Sequence, residues 1–393
     1  MIQNRGLMYL NVAHFFDHFF LLIFPTAVIA IESAWDLSYG EALALGTSMY
    51  VAFGLATLPA GWLGDHLDRR TLITIFFFGC GVSSLFTGFA AGPLSLAIGL
   101  GFLGAFAALY HPVGMALVIE LADRPGRALA INGVFGNMGL AGSALFTGLL
   151  AQAYGWRSAF LVPGIVAVLI GTAYFRQNQH DKKTALHAKQ EQGEVFEGVS
   201  RRNQIRVFIV VVISAIFGGA VFNAVTMTLP KLFDERLAKT GIDLSQVGSY
   251  SALVFAVAAF AQLPVGDLLD RYGARPILVT LLIPQAVVLA VIANAHGSIV
   301  LPMTMLLVLL MFAEVPVTSW LLGHFVAPNW RARAFSVEYV LSLGLGALVL
   351  PLIAWGHRIG HGFATQYLLL AVCATTVLCA ALFLPAWKSK AMR

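Results

Sequence analysis

The sequence predicts an all-helical membrane protein with twelve transmembrane helices in two pseudo-symmetric halves of six. Hydrophobic residues make up 59% of the 393 positions and charged residues only 11%, whereas a soluble domain is about half apolar and about a quarter charged. Apolar stretches of about 20 residues, long enough to span a bilayer, recur along the whole chain. A motif of the first half also returns in the second half. These observations exclude a soluble domain and a disordered chain.

Each predicted helix is an apolar run that ends at a short loop with glycine, proline or charged residues, such as residues 91–93 (AGP) and 124–126 (RPG). The run lengths favour helices over a β-barrel, whose strands would alternate apolar and polar residues over about ten positions. The predicted helices cover residues 7–31, 42–64, 71–92, 94–119, 126–151, 156–175, 206–233, 246–269, 275–295, 299–323, 332–355 and 363–386.

One long polar segment divides six predicted helices from the other six. Residues 176–206 are rich in lysine, arginine and glutamate and contain few apolar residues. Such a charge run is typical of a solvated tether. We therefore expect an N-terminal six-helix bundle over residues 1–175, a cytoplasmic linker over 176–206 and a C-terminal six-helix bundle over 207–393.

Lysine and arginine are distributed unequally between the two predicted sides of the membrane. With both termini in the cytoplasm, 19 of these residues face inward and 5 face outward, which accounts for all 24. Positively charged loops stay on the cytoplasmic side, so the sequence predicts a multi-pass protein of the inner membrane with both termini cytoplasmic. The same bias explains the formal net charge of +5 without a nucleic-acid partner.

An internal repeat relates the two halves. Residues 58–65 (LPAGWLGD) match residues 263–270 (LPVGDLLD) at a shift of 205, and Pro25 falls on Pro230 at the same shift. A repeat of six helices gives both halves the same membrane orientation. Parallel halves that rock about a central cavity are typical of secondary transporters.

The second copy of this motif resembles the signature of the major facilitator superfamily. Residues 266–275 (GDLLDRYGAR) match G-x-L-x-D-R-x-G-x-R between helices 8 and 9, and residues 61–70 (GWLGDHLDRR) are a degenerate copy. The resemblance implies that superfamily's fold. It also implies that the signature carboxylates meet helix N-termini of the opposite half, where the helix dipole favours negative charge. The implied conformational lock comprises Asp65, Arg69, Arg70, Arg127, Asp270, Arg271, Arg275 and Arg333.

Three motifs of the first half resemble the fosmidomycin-resistance-type branch of that superfamily. They are residues 14–18 (HFFDH), 110–112 (YHP) and 136–139 (GNMG). That branch contains drug:proton antiporters that export their substrates. The resemblance therefore implies proton-coupled antiport and favours efflux.

Ionisable side chains at membrane depth mark the candidate site. Each costs on the order of 2.5–3.5 kcal/mol or more in the bilayer, so such residues usually line a functional cavity. His14, Asp17 and His18 share one face in the middle of predicted helix 1. Predicted helix 4 adds His111 and predicted helix 10 adds Glu314. Helices 1, 4, 7 and 10 line the central cavity in the superfamily that the chain resembles.

These residues suggest a division of roles. Asp17, Glu314 and His111 are predicted to carry the coupled proton, because carboxyl and imidazole groups change protonation when their environment changes. The predicted cavity helices hold no deep lysine or arginine, which favours a neutral or cationic, partly apolar substrate over an organic anion. We therefore predict a proton-coupled secondary transporter of a small organic molecule, working by alternating access. The predicted substrate cavity comprises His14, His18, Phe15, Met115, Phe222 and Asn223.

A metal alternative stays open, because His14 and His18 have the i, i+4 spacing of helical zinc sites. With Asp17 and His111 they could carry a transition-metal ion or a metal chelate as cargo. Apart from that alternative, neither a metal nor a cofactor is expected. An enzyme is not expected, since the sequence lacks a Walker loop, a G-x-S-x-G elbow and an H-E-x-x-H motif. The expected partners are a small-molecule substrate, protons and lipid, and the expected state is a monomer.

Small residues recur along predicted helix 5. Gly133, Gly136, Gly139 and Gly142 follow each other at intervals of three, so they lie near one face and allow a neighbouring helix to approach closely. We expect helix 2 or helix 8 to be that neighbour.

Overall fold

The computed structural model describes residues 2–122, 125–181, 200–238, 241–326, 334, 337–342, 344 and 346–385. Within these residues every regular element is helical, and twelve helices are long and apolar enough to cross a membrane. The predicted fold class is therefore confirmed. The helices are α1 (Arg5–Trp35), α2 (Tyr39–His66), α3 (Arg69–Gly88), α4 (Pro93–Leu121), α5 (Ile131–Tyr154), α6 (Trp156–Asn178), α7 (Arg201–Arg236), α8 (Leu244–Tyr272), α9 (Ala274–Ile292), α10 (Gly297–Phe325), α11 (Val337–Arg358) and α12 (Phe363–Ala381).

The first six helices are called the N-half and the last six the C-half. Regular helix runs beyond three of these spans, from Ile2 before α1, from Pro125 before α5, and to Asp181 after α6. The helical turns at both edges of the predicted linker thus belong to α6 and α7. Residues 182–199, the middle of that linker, lie outside the described residues.

The halves pack against each other mainly along two helix pairs, α5 with α8 and α2 with α11, and α1 also contacts α7. A close approach makes the first pair possible: a Cβ atom on Gly248 of α8 would lie 2.4 Å from the carbonyl oxygen of Ala144 in α5. Within the N-half, α1 packs mainly on α5, α2 on α4, and α3 on α6. This arrangement encloses α1, whose apolar face forms much of the buried core.

In the described part of the chain, two helices contain a wider π-helical turn, Tyr110–Gly114 in α4 and Ser214–Gly218 in α7. The turn in α4 contains Pro112, which has no backbone N–H to donate to the preceding turn. Single π-turns inside α-helices occur frequently at functional sites. In α4 the turn holds Tyr110 and His111, both buried.

The two ends of the helix bundle carry different charged residues. One end, called the Lys231 end, holds Glu32 at the close of α1 and Lys231 near the close of α7. The opposite end, called the Asp270 end, holds Asp65 at the close of α2 and Asp270 at the close of α8. The candidate site lies between these two ends.

Candidate functional site

Four ionisable residues of the N-half lie together in the middle of the helices and are called the histidine cluster: His14, Asp17, His18 and His111. Asp17 lies about 18 Å along α1, from the helical rise of about 1.5 Å per residue, and its side chain is 0% exposed. His111 Nε2 is 3.1 Å from Asp17 Oδ2. The ring centroids of His14 and His18 lie 5.4 and 5.5 Å from that of His111. The structure thus brings together four residues that the sequence assigns to the site.

A hydrogen-bond network fixes the orientation of His14. Its Nδ1 lies 2.8 Å from the backbone carbonyl oxygen of Asn132 in α5. A carbonyl oxygen can only accept, so Nδ1 carries a hydrogen, and in the neutral ring Nε2 is then the acceptor. The Asn132 side chain is held in turn, because its Oδ1 accepts from the Tyr110 hydroxyl at 2.9 Å and its Nδ2 donates to Asn11 Oδ1 at 3.0 Å.

Glycines of α5 let α1 lie close enough for this network. A Cβ atom on Gly139 would lie 2.2 Å from the carbonyl oxygen of Phe15, closer than real Cβ contacts allow. The expected neighbours of the glycine row were helix 2 or helix 8. In the structure, α1 packs against Gly136, Gly139 and Gly142. Gly133 instead faces Gln262 of α8. The sequence pattern identified the packing face, but the partner depends on the fold.

Most polar atoms of the cluster lack a hydrogen-bond partner. Both carboxyl oxygens of Asp17, both ring nitrogens of His111 and Nε2 of His18 are buried without one. The 3.1 Å approach of His111 Nε2 to Asp17 Oδ2 is an ion-pair distance that does not meet the geometry of a hydrogen bond. An unpaired buried polar group costs about 1–3 kcal/mol. The cluster therefore keeps donors and acceptors available for a proton or a ligand.

Two residues of the C-half complete the surroundings of His111. The ring centroid of Tyr339 in α11 lies 5.5 Å from that of His111. The neighbouring Glu338 lies near Ser342 and His111. The sequence analysis missed both residues, because neither lies in helix 1, 4, 7 or 10, to which the candidate cavity was assigned. It also missed Asn132, although this asparagine precedes the GNMG motif by four residues.

Other predicted site residues lie elsewhere. Glu314 of α10 lies beside Gln285 of α9, and its Oε1 is buried without a hydrogen-bond partner. Phe222 of α7 stacks on Phe312 of α10 at 5.8 Å. Asn223 is buried and donates to the backbone oxygens of Gly219 and Ser342, both at 2.8 Å. These side chains therefore take part in packing within the C-half.

Two predicted cavity residues of the N-half flank the cluster. Phe15 stacks on Phe19 at 5.7 Å and covers Gly142 of α5. Met115 directly follows the π-helical turn of α4 and packs, partly buried, against the core. Both positions place apolar surface next to the histidines.

Among the predicted lock residues, Asp65, Arg69 and Asp270 each contact a side chain of their own half. Arg69 lies 4.0 Å from Asp65 and donates from Nη1 to Glu120 Oε2 at 3.0 Å. Asp270 Oδ1 accepts from Trp320 Nε1 at 2.8 Å. The backbone oxygen of Arg70 accepts from Asn178, and Arg271 and Arg275 are exposed. The side chain of Arg127 and the whole of Arg333 lie outside the described residues.

The Lys231 end carries an ion cluster that joins the two halves. Lys231 of α7 lies 2.5 Å from Glu32 of α1 and 2.9 Å from Asp234 of its own helix. Its ammonium group also lies 5.3 Å from the centre of the Tyr39 ring. Lys231 is 6% exposed and is the only lysine or arginine in the described part of the chain that is buried.

The donor set of the histidine cluster can be compared with a metal site. His14, His18 and His111 offer ring nitrogens that all lie within 4.8 Å of one another. Ligand nitrogens about 2.0–2.1 Å from a tetrahedral zinc lie about 3.3 Å apart, so the three rings would need to move inward to share an ion. The arrangement thus has the donor types of a metal site at a spacing wider than a bound zinc ion requires.

Comparisons with known proteins give the family context. The family model of the Major Facilitator Superfamily matches residues 10–238. A probable 4-methylmuconolactone transporter of Cupriavidus pinatubonensis is 27% identical over 279 residues, which cover 67% of this chain and 62% of that protein. A D-galactonate transporter of Escherichia coli is 26% identical over 354 residues, which cover 82% of this chain and 81% of that protein.

The fold also matches solved structures. The crystal structure of a D-xylose-proton symporter aligns with a TM-score of 0.71, over 98% of this chain and 97% of the symporter. The two sequences are 15% identical, so the likeness concerns the fold.

Proposed function

The chain belongs to the major facilitator superfamily, and from this premise we propose that it couples transport of its substrate to the proton gradient. It is a multi-pass membrane protein and a secondary transporter of small organic substrates, not an enzyme. In the proposal, the histidine cluster holds the coupled proton, and alternating access exposes the cluster first to one side of the membrane and then to the other.

The observation that carries the proposal is the pair formed by Asp17 and His111. A fully buried carboxyl group lies 3.1 Å from an imidazole nitrogen, and neither atom has a hydrogen-bond partner. A proton arriving there can be shared between the two groups and can complete the missing hydrogen bond. Glu314, the second predicted proton carrier, lies beside Gln285 of α9, so Asp17 and His111 are the principal pair in this proposal.

The proposed substrate is neutral or cationic and partly apolar. Lys231, the one buried cation among the described residues, is already paired with Glu32 and Asp234. Among the described residues, an organic anion in the centre of the molecule would find imidazoles but no lysine or arginine. The apolar surfaces of Phe15 and Met115 beside the cluster suit a substrate with an apolar part.

Export is the proposed direction, and it rests on the resemblance of residues 14–18, 110–112 and 136–139 to the fosmidomycin-resistance-type branch. The proposed location is the inner membrane with both termini cytoplasmic, because lysine and arginine divide 19 to 5 between the two sides. In this orientation the Asp270 end faces the cytoplasm and the Lys231 end faces outward.

A transport assay in proteoliposomes tests the proposal. D-xylose serves as a neutral probe, ethidium as a cationic and partly apolar probe, and D-galactonate as an anionic probe. With an imposed pH gradient, we expect uphill movement of D-xylose or ethidium, and we expect Asp17→Asn to abolish it while downhill exchange continues. The orientation of the pH gradient that drives accumulation gives the direction. Uphill accumulation by Asp17→Asn would show that Asp17 does not carry the proton.

A matched control isolates the role of the buried carboxyl group. Asp36 is an exposed residue between α1 and α2 with a φ of 53°, a conformation that asparagine also adopts readily. Asp36→Asn therefore removes the same charge without disturbing the site, and it should transport as the unchanged protein does.

Uphill movement of D-galactonate alone would contradict the proposed substrate class.

Transition-metal transport is the second candidate function, because three imidazole nitrogens lie within 4.8 Å of one another. Calorimetry with Zn²⁺, Cu²⁺, Ni²⁺ and Fe²⁺ on the purified protein tests it. This candidate requires binding that disappears when His14→Ala and His18→Ala are combined. No heat of binding from any of the four ions would exclude it.

A further inference from the structure

A groove lies on the surface of the N-half between α1 and α6 and is called the α1–α6 groove. Its volume is about 370 Å³, and it is lined by Arg5, Met8, Tyr9, Val12, Ile170 and Gln177. These residues come from the beginning of α1 and the end of α6. Because α1 closes at the Lys231 end, its beginning lies at the Asp270 end, and the groove lies there too.

Both walls of the groove change from polar to apolar along the helices. On α1, Arg5 stands at the start of the span and Val12 lies seven residues further in. On α6, Gln177 stands one residue from the end of the span and Ile170 lies seven residues further in. At a rise of 1.5 Å per residue, each wall extends about 10 Å into the span. The groove therefore joins a polar edge at the membrane surface to an apolar floor at the depth of the lipid chains.

Met8 opens this groove toward the lipid. The neighbouring Leu10 is fully buried on the opposite face of α1. Met8 and Val12 are each two residues away from Leu10 and so lie about 200° around the helix from it. Met8 is 66% exposed, and apolar surface exposed on a transmembrane span is typical of a membrane contact.

The polar edge of the groove offers hydrogen-bond donors that the protein itself does not use. Among the described residues, the exposed side chain of Arg5 forms no ion pair, and neither Arg5 nor Gln177 forms a side-chain hydrogen bond. Arg69, at the same end of the molecule, is instead paired with Asp65 and Glu120. A free guanidinium group is well suited to a phosphate, because its N–H donors match two phosphate oxygens.

We propose that the α1–α6 groove binds an anionic phospholipid. The phosphate contacts Arg5 and Gln177, and one acyl chain lies along Met8, Val12 and Ile170. A zwitterionic lipid carries a cation beside its phosphate, so Arg5 favours a lipid without that cation. In the orientation proposed above, the groove lies in the cytoplasmic leaflet, whose anionic lipids attract basic residues near the membrane surface.

This inference is independent of the proposed proton coupling, because it uses no group of the histidine cluster. It concerns the same helix at a different face. A lipid that contacts both α1 and α6 binds the native N-half, so it should also raise the melting temperature of the protein.

The experiment identifies the lipid that stays bound to the purified full chain. The protein is equilibrated in detergent with equal amounts of dioleoyl phosphatidylglycerol and dioleoyl phosphatidylcholine and is then studied by native mass spectrometry. We expect one phosphatidylglycerol to be retained with about tenfold preference over phosphatidylcholine. This preference corresponds to about 1.4 kcal/mol, the size expected for one charge-assisted hydrogen bond.

Two matched pairs of variants test the two ends of the groove. Arg5→Gln should abolish the preference, whereas Arg176→Gln should keep it, since Arg176 is an exposed arginine beside Gln177 that does not line the groove. Val12→Phe fills the apolar floor and should lower the retention of phosphatidylglycerol several-fold. Val166→Phe is its control, because Val166 is exposed on α6 outside the groove.

The melting temperature of each variant without added lipid verifies that it is folded. If Val12→Phe melts at a lower temperature, Ile170→Phe fills the groove from the opposite wall in its place.

Several outcomes would overturn the inference. Equal retention of both lipids by the unchanged protein would deny the site its charge preference, and equal losses in Arg5→Gln and Arg176→Gln would indicate general attraction to a basic surface. Displacement of the lipid by glycerol 3-phosphate at the same concentration would assign the groove to a free phosphate group. Full retention after the groove is filled would place the acyl chain elsewhere. None of these outcomes bears on the transport test with Asp17→Asn.

Discussion

The Lys231 end and the histidine cluster both place buried charged groups where helices meet, but they differ in how completely those groups are paired. Lys231 has two carboxylate partners within 2.9 Å and an aromatic ring above it. In the cluster, Asp17 and His111 approach to 3.1 Å, yet none of their side-chain polar atoms completes a hydrogen bond.

The completeness of pairing distinguishes a buried charge that stabilises the fold from a buried charge that serves function. A buried charge that is fully paired is costly to break, because its partner would be left unpaired. A buried group whose hydrogen bonds are incomplete lowers stability and retains the capacity to bind. This difference supports the proposal that the Lys231 end holds the halves together and that the histidine cluster exchanges the proton.

The largest expected effect concerns the Lys231 end. Lys231→Met removes the cation between Glu32 and Asp234 and leaves both carboxylates without it, so we expect a loss of about 3 kcal/mol in the free energy of unfolding. A thermal melt in detergent, followed by tryptophan fluorescence, measures the loss. Combining the change with Glu32→Gln should recover part of the stability, because one stranded charge is then removed. An unchanged melting temperature in Lys231→Met would remove the distinction between the two regions.

A smaller effect is expected in the network beside the cluster. Tyr110→Phe removes the hydroxyl that lies 2.9 Å from Asn132 Oδ1 and 3.0 Å from the Leu10 backbone oxygen. We expect a loss of about 1 kcal/mol, the usual contribution of a buried hydrogen bond. The same thermal melt measures it. A loss as large as that of Lys231→Met would indicate that the network, and not the ion cluster, dominates stability.

The smallest effect on stability is expected at Asp17, the fully buried carboxyl group of the histidine cluster. Asp17→Asn replaces oxygens that accept no hydrogen bond, so we expect the free energy of unfolding to change by less than about 1 kcal/mol, although uphill transport is lost. Chemical or thermal unfolding beside the transport assay checks both parts. A strongly destabilised Asp17→Asn protein would assign Asp17 a structural role instead.

The fold could be predicted from the sequence to a large extent, for physical reasons. Each transmembrane span must be apolar over a fixed length, so residues 71–92 and 94–119 were recognisable as spans close to α3 and α4. It was harder to predict from the sequence which helices pack against each other. The glycine row of α5 was expected to face helix 2 or helix 8, but Gly139 meets α1, because a small-residue stripe specifies closeness without specifying the partner.

The site could be predicted in part. The cluster on α1 and α4 was visible because ionisable residues in an apolar span are expensive. Glu338 and Tyr339 were not found, because their proximity to His111 depends on how α11 crosses α4. Glu314 is also an ionisable residue in an apolar span, but it lies beside Gln285 of α9 and not in the cluster. The depth of a residue in a helix does not determine which face its side chain occupies.

Infrared difference spectroscopy of the protein in lipid tests the central claim most directly, because it detects protonation of a buried carboxyl group without any substrate. Spectra are recorded between about pH 5 and about pH 8, around the ordinary histidine pKa, for the unchanged protein, Asp17→Asn and the Asp36→Asn control. We expect the unchanged protein and the control to show a carbonyl stretch of a buried carboxylic acid that varies with pH, and Asp17→Asn to lack that band. An identical band in all three proteins would contradict the assignment of the coupled proton to the histidine cluster.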